Sequence, residues 1–425
     1  MKKTLIYSAS LAAALAFSSG AATADVTLSL LVSDGPTDTV AAAALVEAYQ
    51  AAHPDVTIEI EYKPGGAEGD NLVKTRLATG EMADIFVYNS GSLFQAINPT
   101  RNLVDLSDLP SQDNILDSYK SVVSADGKVY GVPFGTAMGG GIFYNRPIYE
   151  KLGLSIPKTW DEFMANNAAI QESGVPAVAQ TYKDTWTSQL FVLADYFNVQ
   201  AAVPDFATDY TANKAKYATT PAAMRGFEHL QEVYEAGYMN EDFGAATFDD
   251  GMRMVATGEA GHYPMLTFAI EGVKQNYPDN IDDLGFFAQP GDSADSNGLT
   301  VWMPSGMYIA KTTENLEVAK DFVNFAASVA GCDNRTEAVG ASGPYLVQGC
   351  SIPDQVPPAV TDMMPYFQTS GMTAPALEFL SPIKGPALEQ ITVEVGSGIR
   401  AAADGAALYD QDVEKQAKQL GLPNW

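Results

Sequence analysis

The sequence predicts an α/β protein of two lobes, each a sheet flanked by helices. Three observations carry that expectation. The chain has 425 residues, and about 400 remain once a leader is set aside, more than one hydrophobic core normally holds. Residues 26–88 alternate strand and helix patterns in the order β-α-β-α-β, which argues a doubly wound sheet with binding loops at the carboxyl ends of its strands. From Trp160 onward the pattern turns mostly helical, broken by short apolar strands and glycine-rich stretches.

Residues 26–32 alternate with period two and stop at Ser33-Asp34-Gly35-Pro36, a strand and turn. An alanine-rich helix at 39–52 ends at His53-Pro54, and a second alternating strand covers 56–62. The loop 64–69 leads to a helix at 71–78 closed by Gly80; residues 83–88 form a near-continuous apolar strand of the kind buried in a parallel sheet. A short β-rich run at 128–132 stops at Pro133, and Gly135, Gly139, Gly140 and Gly141 come before the apolar run Ile142-Phe143-Tyr144. Arg146-Pro147 opens a short helix that breaks at Gly153, and Thr159 with Glu162 reads as a capping box for the next. Helices are expected at 161–171, 186–196, 221–236, 249–257 and 315–329, strands at 284–287 and 307–310, and helices again toward residue 420.

Composition narrows the function. Met1-Lys2-Lys3, the apolar run 5–17 and Ala22-Thr23-Ala24 before Asp25 read as a cleaved export signal over residues 1–24. That places the protein in the periplasm. The formal charge is −28, with 24 basic against 52 acidic residues and no basic cluster, so nucleic acid is not an expected partner. Cys332 and Cys350 are the two cysteines, and in an oxidising compartment they read as a disulfide. His53, His229 and His262 stand at no ligand spacing from them, so no metal is expected, and no cofactor fingerprint occurs. No nucleophile elbow is present either, and each histidine reads as structural.

The order Tyr130-Gly131-Val132-Pro133, Tyr144-Asn145, Gly153-Leu154 and Pro157-Lys158-Thr159-Trp160-Asp161-Glu162-Phe163 resembles the signature region of family 1 extracellular solute-binding proteins, the sugar receptors of ABC importers. Gly80 to Tyr88 (GEMADIFVY) resembles a second part of that pattern. The resemblance covers most of residues 26–350 and is weakest beyond Cys350. It implies the two-lobed periplasmic binding protein fold, type II-like, with about three hinge crossings, the first after Pro133. The expected lobes are 25–134 plus 299–343 and 135–298 plus 344–425, with 291–298 and 340–349 as the second and third crossings. It also implies a non-enzymatic, monomeric receptor that closes on a neutral mono- or oligosaccharide and delivers it to the permease subunits of an ABC transporter.

A sugar site needs flat aromatic groups for C–H faces and a few polar groups for hydroxyls. By resemblance the matching positions are Asp34 after the first strand, Tyr88, Asn89 and Ser90 after the buried strand, and Thr136 in the first crossing. The loop carrying Lys183, Asp184 and Trp186, then Phe268, and Trp302 near the second crossing complete the set. Trp160 reads instead as the core anchor of its helix. Two other readings stay open: a receptor of the same fold for a polyol, polyamine or other solute, and a glycan-acting enzyme, which needs two carboxylates about 5–10 Å apart across a cleft.

Overall fold

The computed structural model describes residues 26–425; the expected export signal lies outside the described residues. Two five-stranded sheets organise them. The first runs in the order Val56–Lys63, Val26–Ser33, Ile85–Tyr88, Gly306–Ile309, Gly131–Pro133. Its first three strands are parallel, and the register ends with Ser33 opposite Lys63. Leu28, Leu30, Leu31 and Val32 are all fully buried, which accounts for an apolar strand covered on both faces. Helices Pro36–Ala52 and Gly66–Thr79 supply the crossovers.

Met138–Asn145 is the central strand of the second sheet. One edge pairs with His262–Leu266; the other pairs first with Leu299–Trp302 and then with Leu284–Ala288. Thr373–Pro375 extends the sheet beside Leu299–Trp302. Helices Trp160–Glu172, Pro221–Glu235 and Ala402–Gln419 pack on this half.

The first crossing falls where the glycine-rich run predicts it, between Gly131–Pro133 in one sheet and Met138–Asn145 in the other. The other two lie elsewhere. Residues 291–298 connect two strands of the same sheet, and Leu299–Trp302 belongs to the second sheet rather than the first lobe. The chain passes over at 303–305, alongside the first crossing, with Phe134 N donating to Ser305 O at 2.9 Å. Past Gly340 it stays with the first lobe: Leu116 N donates to Leu346 O and Gln348 N to Asn114 O. The Cys332–Cys350 disulfide fixes this return, so the third crossing comes after Cys350, in the proline-rich 351–357.

Local differences have local causes. The helix expected at 186–196 is a tight turn, Thr185–Gln189, then Leu190–Leu193 and Tyr196–Ala202. Thr187 and Ser188 bond back to the carbonyls of Asp184 and Thr185, competing with a regular helix. Likewise 315–329 ends early, because Ser328 caps a new helix, Val329–Val339, by accepting from Gly331 N. Thr159 caps its helix as expected, but Glu162 turns to Lys158 N at 2.7 Å, so the box is incomplete; a reciprocal one forms at Thr247 and Asp250. Trp160 is the anchor anticipated: 2 % exposed, its indole N–H donating to Glu232 and its ring stacked on His229.

Candidate functional site

Three parallel strands end on the same edge of the first sheet, and the turns beyond their ends face the other lobe. After Val26–Ser33 come Asp34 and the first turn of helix Pro36–Ala52 with Asp38. Val56–Lys63 ends in Lys63, buried, and turns through Pro64-Gly65-Gly66 into the helix carrying Asp70. Ile85–Tyr88 ends in Tyr88, also buried, whose hydroxyl has no well-formed hydrogen bond among the described residues and has Asp70 as a charged neighbour. Burial pushes the Asp38 carboxyl up to about 6, with Glu271 and Asp34 adding to the rise and Arg335 and Lys63 opposing it. Burial likewise lowers Lys63, against the pull of Asp70, Asp38 and Asp34.

The opposing face is aromatic. Trp186, Phe248 and Phe268 form a group with centroid separations of 5.2, 5.4 and 6.0 Å. All three are half-buried. Phe248 opens a helix whose first N–H is held by Asp184 at 2.6 Å. Trp302 closes Leu299–Trp302 and lies against Gly140 of the neighbouring strand, where no side chain would fit. Its indole N–H donates to Glu378 Oε1, and Glu378 Oε2 is 3.3 Å from Lys384 Nζ. Glu389 accepts from Thr185 Oγ1 at 2.7 Å, beside Trp186.

The two faces touch. Gly66 adopts φ +61, and a Cβ there would stand 3.3 Å from Trp186 and 3.6 Å from Glu389, so glycine allows both the turn and the approach. Near the crossings a buried ion pair spans the lobes: Arg335 of helix Val329–Val339 meets Glu271 of helix Ala269–Asn276 through two bonds, 2.7 and 3.3 Å. Ser342 also donates to Glu271, and Thr136 bonds Ser342.

The expected site residues divide accordingly. Tyr88 ends a strand of the first sheet, Trp186 and Phe268 belong to the opposing aromatic group, and Asp34 and Asn89 are exposed just past strand ends. Trp302 stands on the second-sheet side with Trp186 rather than across from it, because its strand pairs there. Three expected residues have side chains engaged in holding the fold. Ser90 donates to Pro304 O in the second crossing, Thr136 belongs to the ion-pair network, and Asp184 caps the Phe248 helix. Lys183 is exposed, with its backbone N–H on Ala246 O.

Sequence reasoning missed Asp38, Lys63, Asp70, Phe248, Glu378, Lys384 and Glu389. Lys63 had a signal, since it ends an alternating strand before Pro-Gly-Gly just as Asp34 comes after the first. The residues beyond 350 had none. His262 lies outside the site, accepting from Tyr149 and donating to Ala177 O, and burial holds it neutral with a pKa near 3. No cluster of three or more His, Cys, Asp or Glu side chains suited to a metal ion occurs among the described residues.

The family model for bacterial extracellular solute-binding proteins matches residues 33–331. The chain belongs to that family. Among curated relatives, this solute-binding protein is 22 % identical to the multiple sugar-binding protein of Streptococcus mutans over 72 % of its own length and 71 % of the relative's. It is 23 % identical to the melibiose/raffinose/stachyose-binding protein MelE of Bacillus subtilis, covering 69 % and 68 %. Its fold is similar to a chitin oligosaccharide binding protein (TM-score 0.78, 20 % identity, 93 % and 99 % covered). It is also similar to the binding protein RafE solved with raffinose (TM-score 0.76, 20 % identity, 93 % and 99 % covered). The matched residues stop before Glu378, Lys384 and Glu389.

Proposed function

We propose that this protein is the carbohydrate-binding component of an ABC importer. It takes a neutral mono- or oligosaccharide between its lobes as a monomer in the periplasm and delivers it to the permease. The observation that carries this reading is the aromatic group Trp186, Phe248 and Phe268 opposite the polar strand ends Lys63 and Tyr88 and the helix residue Asp70. Aromatic faces suit the C–H surface of a sugar ring, and charged and hydroxyl groups suit its edge. The curated relatives named for sugars support the same class. Closure results from a ligand that contacts both faces and therefore stabilises the shut state.

A thermal-shift panel tests it. Neutral sugars, raffinose and melibiose among them, should raise the melting temperature; ligand at 100 times its dissociation constant adds about 2.7 kcal/mol. Shifts confined to amino acids, polyamines or metal ions would overturn the carbohydrate assignment. Turnover of any of the same sugars would instead favour a glycan-acting enzyme.

A further inference from the structure

Trp302, Trp186 and Tyr88 come from three separate segments, yet the polar groups beside all three lead to one side chain, Lys384. Its ammonium is 3.3 Å from Glu378 Oε2, while the other oxygen of that carboxylate takes the Trp302 indole N–H. Glu389, which accepts from Thr185 next to Trp186, acts on the same ammonium. Asp70, the charged neighbour of Tyr88, does so from the opposite lobe.

We infer that Lys384 is the positioning residue of the cleft: it fixes Trp302 through Glu378, and its charge is the counterpart of Glu389 beside the Trp186 turn. The physical reason is compensation. The Lys384 side chain is only 17 % exposed and Glu378 only 12 %. A withdrawn ammonium is tolerated where carboxylates surround it, and Glu378 has one oxygen on the ammonium and the other on the indole. Burial pulls the ammonium pKa down, and Glu378, Glu389 and Asp70 together more than offset it.

Glu378 is therefore not a free acceptor that a sugar hydroxyl can claim; it is a bracket between a cation and an indole. With Gly140 beneath the ring and Glu378 at its edge, the Trp302 plane is held from two sides. The bracket sits in a segment beyond the residues the family model matches. What the aromatic groups hold rests on the carbohydrate reading; the bracket itself does not.

The test uses the full exported chain with 5-fluorotryptophan in place of its 4 tryptophans, each fluorine resonance assigned from a single Trp→Phe variant. In ligand-free K384M the Trp302 and Trp186 resonances should move or broaden while those of Trp160 and Trp425 stay. E378M should move Trp302 alone, and E389M Trp186 alone. Raffinose affinity by calorimetry should fall about tenfold or more in each variant. Stationary Trp302 and Trp186 resonances in K384M overturn the inference, as does movement of all four indoles in E378M and E389M, which marks general loss of packing. If K384M does not fold, those two variants decide on the same terms. A wild-type protein that ignores raffinose counts against the choice of sugar and leaves the ligand-free spectra to decide the role of Lys384.

Discussion

The two faces of the cleft differ in both chemistry and construction. The first-lobe face is ionic and hydroxylic, with Asp38, Lys63, Asp70 and Tyr88, and arises directly from three adjacent parallel strands ending on one edge. The second-lobe face is aromatic, with Trp186, Phe248, Phe268 and Trp302, and is assembled from separate turns and strand ends joined by side-chain bonds. Backbone topology sets the first face; tertiary bonding sets the second. Apolar contact should therefore carry most of the affinity, and the polar face should discriminate among hydroxyl patterns, because an unmatched buried polar group costs more than a matched one returns.

The largest effect should come from the pair that joins the faces. Arg335→Met leaves Glu271, which is 1 % exposed, as a buried charge without its partner. Loss of about 3–5 kcal/mol is expected in denaturant unfolding. The double variant with Glu271→Leu should recover much of it. A loss below about 1 kcal/mol, the scale of an exposed pair, would mean that the lobes are not coupled through this pair.

Next come the faces themselves. Trp186→Ala and Trp302→Ala should each weaken sugar binding by roughly 1–3 kcal/mol, whereas Lys63→Met should cost about 1 kcal/mol and change the ranking among sugars. Calorimetric titration of the folded variants decides. Unchanged affinity with a lowered melting temperature in both tryptophan variants would make the aromatic face part of the core. A Lys63 effect exceeding theirs would reverse the comparison.

The remaining effect concerns pH. Folded Asp38 titrates at about 6, and an unfolded aspartate near 4. Between these values the folded state binds the extra proton, so this residue's contribution to stability falls as pH rises through that window, by at most about 1.4 kcal/mol per unit. Asp38→Asn should therefore stabilise the protein above pH 6 and match wild type below pH 4. Equal stability difference at pH 4 and pH 7 would place the Asp38 carboxyl in water.

Much of the first face was legible in the sequence. Alternation through 26–32 and 56–62 marks the strands, and the strand ends then mark Asp34 and Tyr88; Lys63 obeys the same rule. The second face was legible only in part. Trp186 and Phe268 lie together in one aromatic group, but Trp302 belongs to the other lobe than expected, since strand pairing over about 160 residues leaves no local mark. Ser90, Thr136 and Asp184 have the composition of ligand groups, and their bonding partners are decided by chain segments distant in sequence. Glu378, Lys384 and Glu389 gave no signal at all, because a lysine and two glutamates in a tail read as solvated surface until a fold encloses them.

The position of Gly306–Ile309 between Ile85–Tyr88 and Gly131–Pro133 also governs the order in which the molecule can be made. Two strands of the first sheet emerge early and wait, edges unpaired, for a strand that comes after four of the five strands of the second sheet. At ribosomal rates that interval is on the order of ten to thirty-five seconds. The lobe begun first is thus still open when most of the second sheet has been made, and a nascent chain cut short near residue 300 should present the edges of Ile85–Tyr88 and Gly131–Pro133 to proteases and chaperones.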